Sequence, residues 1–260
     1  MDIIFADIAL GPSLLFWAFL AAVISSIFGS VVGGGGFLAQ PWLLALGVPP
    51  HIVLASDVTS TIGSGGVGAA VFHKHGKIPY HILKWWLPGA VLGPFLGVWA
   101  LAALSEEFLA SAIPMVAITG VIAIAFGRGN IGDVSNDPPK YWQVYSLILG
   151  FVIGSLYGLG VGGMSMITTL LMLCLIRLDI KQAVGAKKIM MFVPAVFATI
   201  AYLQHGFLSL SLTIVLVIGA GLGGYIGSTW VIKADTKRLK IIFLVLVLVL
   251  SAWSLIRPHI

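Results

Sequence analysis

The sequence predicts an all-α membrane protein made of two inverted repeats of about five transmembrane or half-spanning helices each. Three observations carry this expectation. First, the 260-residue chain is 59% hydrophobic and only 9% charged, with a mean hydropathy of +1.09; a soluble domain has about 25% charged residues. So few charges cannot cover a water-facing surface, which leaves little of the chain outside a bilayer. Second, its apolar runs are cut by charges, Gly or Pro at intervals suited to membrane crossings. Third, its two halves resemble each other.

The apolar runs of the first half lie near 12–31, 36–48, 51–72, 82–104 and 108–127. Those of the second lie near 142–159, 161–176, 181–204, 208–232 and 239–257. Several reach the ~20 residues that cross ~30 Å of hydrocarbon. The runs 36–48 and 161–176 are too short, and both directly follow or contain glycine clusters, "VVGGGGFL" and "GLGVGGMS". Each is expected to be a crossing or a re-entrant half-span. The repeats occupy 1–127 and 142–260, with a cytoplasmic linker over 128–141. The first run follows the acidic "MDIIFAD" and is read as a retained span rather than a cleaved signal.

Charge placement orients these runs. Basic residues cluster in "HKHGKIPYHILK", in the loop from Arg128 to Lys140, in "RLDIKQAVGAKK" and in "KADTKRLK". Ten crossings with both termini outside put 13 of the 14 Lys/Arg on the cytoplasmic side, leaving Arg257 outside. Lys/Arg bias orients membrane proteins in this way. The net charge of +5 and pI near 9.4 therefore reflect orientation, and nucleic acid is excluded as a partner. The one cysteine, Cys174, lies in an apolar run. It can form no internal disulfide, and redox or metal chemistry is not expected of it.

The repeat is visible in four colinear matches. "FGSVVGGGGFL" (28–38) aligns with "YGLGVGGMSMI" (157–167) at an offset of 129, and "LASDVTST" (54–61) falls on "AVGAKKIM" (183–190). One residue later in offset, "HGKI" (75–78) meets "HGFL" (205–208), and "GAVLGPFLG" (89–97) meets "GAGLGGYIG" (219–227). Two units of five segments each, an odd number, must sit upside down relative to one another. That is the build of many secondary transporters. The glycine clusters occupy matching places, and broken backbone at membrane depth is tolerated only where protein or a water-filled cavity covers it. The two breaks are therefore expected to meet near the midplane. Their freed N–H groups and helix N-termini carry partial positive charge, which suits an anion.

With these residues in view, "VVGGGGFLAQPWLLALGVPPHIVLASDVTST" resembles the opening signature of the sulfite exporter TauE/SafE family, and "GLGVGGMSMITTLLMLCLIRLDIKQAVGAKK" resembles its repeat. The resemblance covers nearly the whole chain. It implies a bacterial inner-membrane carrier for sulfite, sulfonates or other small organic anions, with export as the direction and both termini periplasmic. The family's small-residue Ala-x-x-Thr-Ser appears here as Ala55-Ser56-Asp57-Val58-Thr59-Ser60, and the intervening Asp57 is a departure from it.

The candidate substrate-binding residues follow from these readings. Gly33, Gly34, Gly35 and Gly36, with Gly160, Gly162 and Gly163, offer backbone N–H groups; the plainer alternative is close helix packing. Gln40 lies just past the first break, and Thr168 and Thr169 just past the second; they can donate to substrate oxygens or bond a local carbonyl. Asp57, flanked by Ser56, Thr59 and Ser60, is an ionisable group within a span, and such groups mark function by default. It can carry a coupling proton, pair with a lysine, or sit at the outer interface. Lys187 and Lys188 align with Val58 and Thr59. They attract an anion at the inner end of the pathway, or, in the reading the sequence leans to, orient the helix and snorkel to the interface.

Other motifs are set aside. His73, His75 and His81 lack the carboxylate or cysteine partners of a metal site. "GSGGVG" at 63–68 matches a dinucleotide fingerprint by letter, but it lies in an apolar helix rather than between a strand and a helix. Gly89, Gly93 and Gly97, echoed by Gly219, Gly223 and Gly227, recur every fourth residue and are expected to be packing faces. Trp85, Trp86, Trp142 and Trp253 lie near segment ends and are expected in interfacial belts. No Walker motif occurs, so no ATPase is carried in the chain, and no cofactor is expected. The resulting expectation is a gradient-driven carrier, not an enzyme, whose partners are a small anion and the lipid bilayer. A channel with the same site, and a homodimer, stay open.

Overall fold

The computed structural model describes residues 11–31, 33–105, 107–108, 141–174, 176 and 178–235. The expected run 239–257, the linker 128–141 up to residue 140 and the run 108–127 beyond Phe108 lie outside them, as do Trp253 and Arg257. Among the described residues the regular structure is helical throughout: α1 (Pro12–Val31), α2 (Gly36–Ala45), α3 (Pro50–Lys74), a single turn α4 (Tyr80–Leu83), α5 (Leu87–Ala102), α6 (Trp142–Gly158), α7 (Met164–Cys174), α8 (Ile180–His205) and α9 (Leu210–Lys233).

Local chemistry sets the ends of these helices. α3 begins at a proline, where a missing N–H costs nothing, after an extended Pro49; α8 begins after Asp179 with nearly the same backbone angles. Both end alike. Gly76 and Gly206 take positive φ (63° and 69°). The next N–H reaches back five residues, Lys77 to the Phe72 carbonyl at 2.9 Å and Phe207 to the Tyr202 carbonyl at 3.2 Å, the closure that satisfies orphan carbonyls at a helix end. The expected run 82–104 is divided: residues 84–86 form turns, and Pro88 near the start of α5 favours a new helix over a continuous one.

Among the described residues three helices, α1, α8 and α9, are long and apolar enough to cross a membrane. α2 and α7, at 10 and 11 residues, rise only about 15 Å at ~1.5 Å per residue. That is half of the hydrocarbon thickness, so neither is long enough to cross it as a straight helix. The chain is a helical membrane protein.

α3 and α8 pack against each other at the centre. α9 lies on α3 and α5 on α8, while α1 packs on α9 and α6 on α5. The glycine ladders make the two outer contacts. A Cβ added at Gly89, Gly93 or Gly97 would strike the carbonyls of Leu147, Phe151 and Ser155 in α6. One added at Gly219, Gly223 or Gly227 would strike those of Phe19, Val23 and Ile27 in α1. Backbones approach this closely only where no side chain intervenes, so the expected packing faces are present. "GSGGVG" lies within α3, where Gly63 meets the backbone of α9 and Gly65 meets Phe192 of α8.

The aromatic-belt expectation needs correction. Trp85 is exposed, but Trp86 and Trp142 are buried in the core, where the Trp142 indole donates to the Ile82 carbonyl at 3.1 Å. These two fill the space where α4, α5 and α6 converge; of the three described members of the expected belt, Trp85 alone faces outward.

Candidate functional site

Two backbone breaks start the site. Before α2, Gly33 and Gly34 have φ of 87° and 77°; before α7, Gly160 and Gly163 have φ of 84° and 80°. Side-chain-bearing residues pay a steric penalty in this region, so glycine is what lets the chain turn there. Each break closes a tight turn: Phe37 N–H donates to the Gly34 carbonyl at 3.0 Å and Met166 N–H to the Gly163 carbonyl at 2.8 Å. The breaks also touch. Gly34 N–H donates to Ser165 Oγ at 2.8 Å. A Cβ on Gly33 would lie 2.6 Å from the Met166 α-carbon, and one on Gly163 would enter the Phe37 ring.

Gln40 ties the breaks to α3. Its Nε2 donates to the Gly160 carbonyl at 2.9 Å and to Asp57 Oδ2 at 2.8 Å. A carbonyl can only accept, so the amide orientation is set by its partners. Pro41, inside α2, directly follows and removes the N–H that would have met the Phe37 carbonyl.

α3 and α8 supply the charges. Asp57 is the eighth residue of α3 and Lys187 the eighth of α8. The alignment of Lys187 and Lys188 with Val58 and Thr59 is therefore shifted by one: counted from the helix starts, Asp57 matches Lys187 and Val58 matches Lys188. The extra residue enters between the breaks and the helix starts, earlier than the sequence match places it. Lys187 Nζ donates to the Gly29 carbonyl at 2.8 Å. Lys188 Nζ donates to Ser30 Oγ at 2.8 Å and to the Ser64 carbonyl at 3.3 Å. The lysines are 2% and 5% exposed. The snorkelling expectation is overturned, because both side chains run inward between α1 and α3, where Gly68 makes room for the Lys188 stem.

These groups surround one cavity of about 80 Å³. It is lined by Gly35 and Gly36 of the first break, Gly162 and Gly163 of the second, and Gln40, Asp57, Ser60, Lys187 and Lys188. The N-terminal ends of α2 and α7 both open onto it, presenting the positive ends of their dipoles. The arrangement can hold a small, multiply hydrogen-bonding anion away from bulk water.

Other predicted site residues lie elsewhere. Gly33 and Gly34 build the contact between the breaks and do not line the cavity. Thr168 and Thr169 bond back to the Met164 and Ser165 carbonyls at 2.9 and 2.8 Å, the local alternative open to a helical threonine. Thr59 pairs with Thr199 at 3.0 Å across α3 and α8, and Ser56 is fully buried away from the cavity. Ser60 lines it while donating to the Asp57 carbonyl at 2.7 Å. The sequence reading missed Ser25, Ser26, Thr61, Ser64, Tyr157 and Ser165, all at the cavity wall. Their signal was present: "SSIFGS" places three serines well inside a helix whose one other hydroxyl, Ser13, lies at its start, and polar side chains in spans face protein or water rather than lipid.

A family model described as sulfite exporter TauE/SafE matches residues 17–254. The chain is 26% identical to a probable membrane transporter protein, ORF9, of Sinorhizobium, covering 94% of each. It is 22% identical to the probable membrane transporter protein YfcA of Escherichia coli K12, over 95% of this chain and 92% of that one. The probable membrane transporter protein YunE of Bacillus subtilis is 26% identical, over 87% of this chain and 92% of its own. No solved structure matches the chain.

Proposed function

The chain belongs to the sulfite exporter TauE/SafE family, a family of membrane transporters, and from that membership and the cavity we propose that it is a secondary carrier of a small anion. The reading places it in a bacterial inner membrane with both termini periplasmic, exporting sulfite, a sulfonate or another organic anion. The observation that carries it is the convergence of two glycine breaks, two buried lysines and Asp57 on one cavity. A buried charge without a partner costs several kcal/mol. A lysine pair held at membrane depth is therefore best explained by a guest of opposite charge. Residues 187 and 188 supply the attraction, the amides of Gly35, Gly36, Gly162 and Gly163 the hydrogen bonds, and Gln40 the link between the breaks.

Alternating access fits a scaffold of two inverted five-segment repeats. Several paired features support that architecture. Packing of α1 on α9 is answered by α6 on α5. The second residue of α3, His51, lies 3.3 and 3.1 Å from the Leu101 and Leu104 carbonyls at the end of α5. The second residue of α8, Lys181, donates to the Ile232 carbonyl at the end of α9 at 2.8 Å. Motion would be a tilt of one half against the other about the touching breaks. An inside-negative potential favours anion efflux by about 2.3 kcal/mol per charge per 100 mV, so export needs no coupling ion.

The test is flux through proteoliposomes loaded with sulfite, sulfate, sulfonates or carboxylates. Saturation and counterflow with one class support the carrier. Ohmic single-channel currents would replace it with a channel, and no anion flux would end the reading.

A further inference from the structure

Resting on the anion-carrier reading above, we propose that Asp57 sets the charge of the guest: beside two lysines it leaves the cavity one positive charge in excess, which matches a singly charged oxyanion and rejects a doubly charged one of the same shape. The three are the only charged side chains among the described residues lining the cavity. They do not cancel by direct contact. Each is held on neutral partners: Lys187 on the Gly29 carbonyl, Lys188 on Ser30 and the Ser64 carbonyl, Asp57 on the Gln40 amide. Gln40 is locked with its nitrogen toward Asp57 by the Gly160 carbonyl, so the carboxylate oxygen it meets acts as an acceptor. An ammonium has three donors. Lys187 spends one on protein, which leaves donors for a guest.

Size cannot make this choice. Sulfate and methanesulfonate are both tetrahedral and nearly equal in bulk, and differ mainly in carrying two charges or one. Beside two buried lysines an uncompensated charge is costly, so the sum of charges decides. With a monoanion the sum is zero; with a dianion it is minus one. Removing the Asp57 charge raises the empty-site sum to plus two and inverts the match. The Oδ2 of Asp57 also lies 2.7 Å from where a Cβ on Gly36 would be, which puts the carboxylate against the first break rather than at a distant rim.

The experiment compares methanesulfonate and sulfate as competitors for uptake by the full chain in proteoliposomes. The wild type is expected to favour methanesulfonate by about tenfold or more, a difference of about 1.4 kcal/mol. Asp57→Asn, which keeps the shape and an acceptor for Gln40, should shift the ratio at least about tenfold toward sulfate. Adding Lys188→Gln to Asp57→Asn restores the sum of charges and should restore the preference. Lys188→Gln alone, independent of how Asp57→Asn folds, should weaken both anions and sulfate the more. A wild-type preference for sulfate, or a ratio indifferent to Asp57→Asn and Lys188→Gln, overturns the inference while leaving the carrier intact. No saturable interaction of either probe or of the wider anion panel with the wild type removes the carrier reading itself.

Discussion

α3 and α8 begin after near-identical backbone turns and end in the same glycine closure, yet at the eighth position one carries Asp57 and the other Lys187. The neighbouring break segments differ in the same manner. α2 sends Gln40 into the cavity, while Thr168 and Thr169 of α7 turn back on their own helix. In the proposed reading, shared backbone with unshared chemistry means that paired halves supply the scaffold, and that a few single-sided residues supply the candidate site. A symmetric cavity would hold like charges at equivalent positions; this one holds opposite charges with a third, Lys188, tipping the sum.

Changes that strike the shared part should have the largest effect. In Gly163→Val a β-branched residue must adopt φ near 80° and its Cβ enters the Phe37 ring; transport should be lost while membrane insertion continues. Gly34→Val should behave alike, because its Cβ would lie 2.9 Å from the Phe37 ring. Flux assays on inserted protein check both, and normal flux in both would remove the central role of the breaks.

Changes on the unshared side should graduate from there. Lys187→Met leaves the dimensions of the side chain but removes its charge, and anion flux should fall by about tenfold or more, read as uptake at fixed protein. Gln40→Leu strands the buried Gly160 carbonyl, at a cost of about 1–3 kcal/mol. Thermal unfolding in detergent should shift down accordingly, and an unchanged midpoint would mean that the bridge between the breaks contributes nothing. The smallest effect belongs to Thr168→Val. Its hydroxyl bonds only the Met164 carbonyl, so stability should change by less than about 1 kcal/mol and substrate preference not at all. A changed preference would put α7 side chains into the site after all.

The sequence alone determined that the chain lives in lipid, because 9% charge cannot clothe a soluble surface. It also located the two breaks, through glycine clusters that recur at matching places in the two halves, and it singled out Asp57 by its cost in a span, while the lysine pair read more readily as orienting charges at an interface. Which of the flagged residues meet was decided by tertiary structure. Lys187 finds its carbonyl 158 residues away and Gly34 its serine 131 residues away, and no local pattern encodes distances of that kind. The same limit explains the misses. A serine or threonine in a helix can face a cavity, a partner helix or its own backbone with equal local ease. Only the packing of α1, α3 and α8 around one space sorted Ser25 and Ser64 into the wall, and Thr59 and Thr168 out of it.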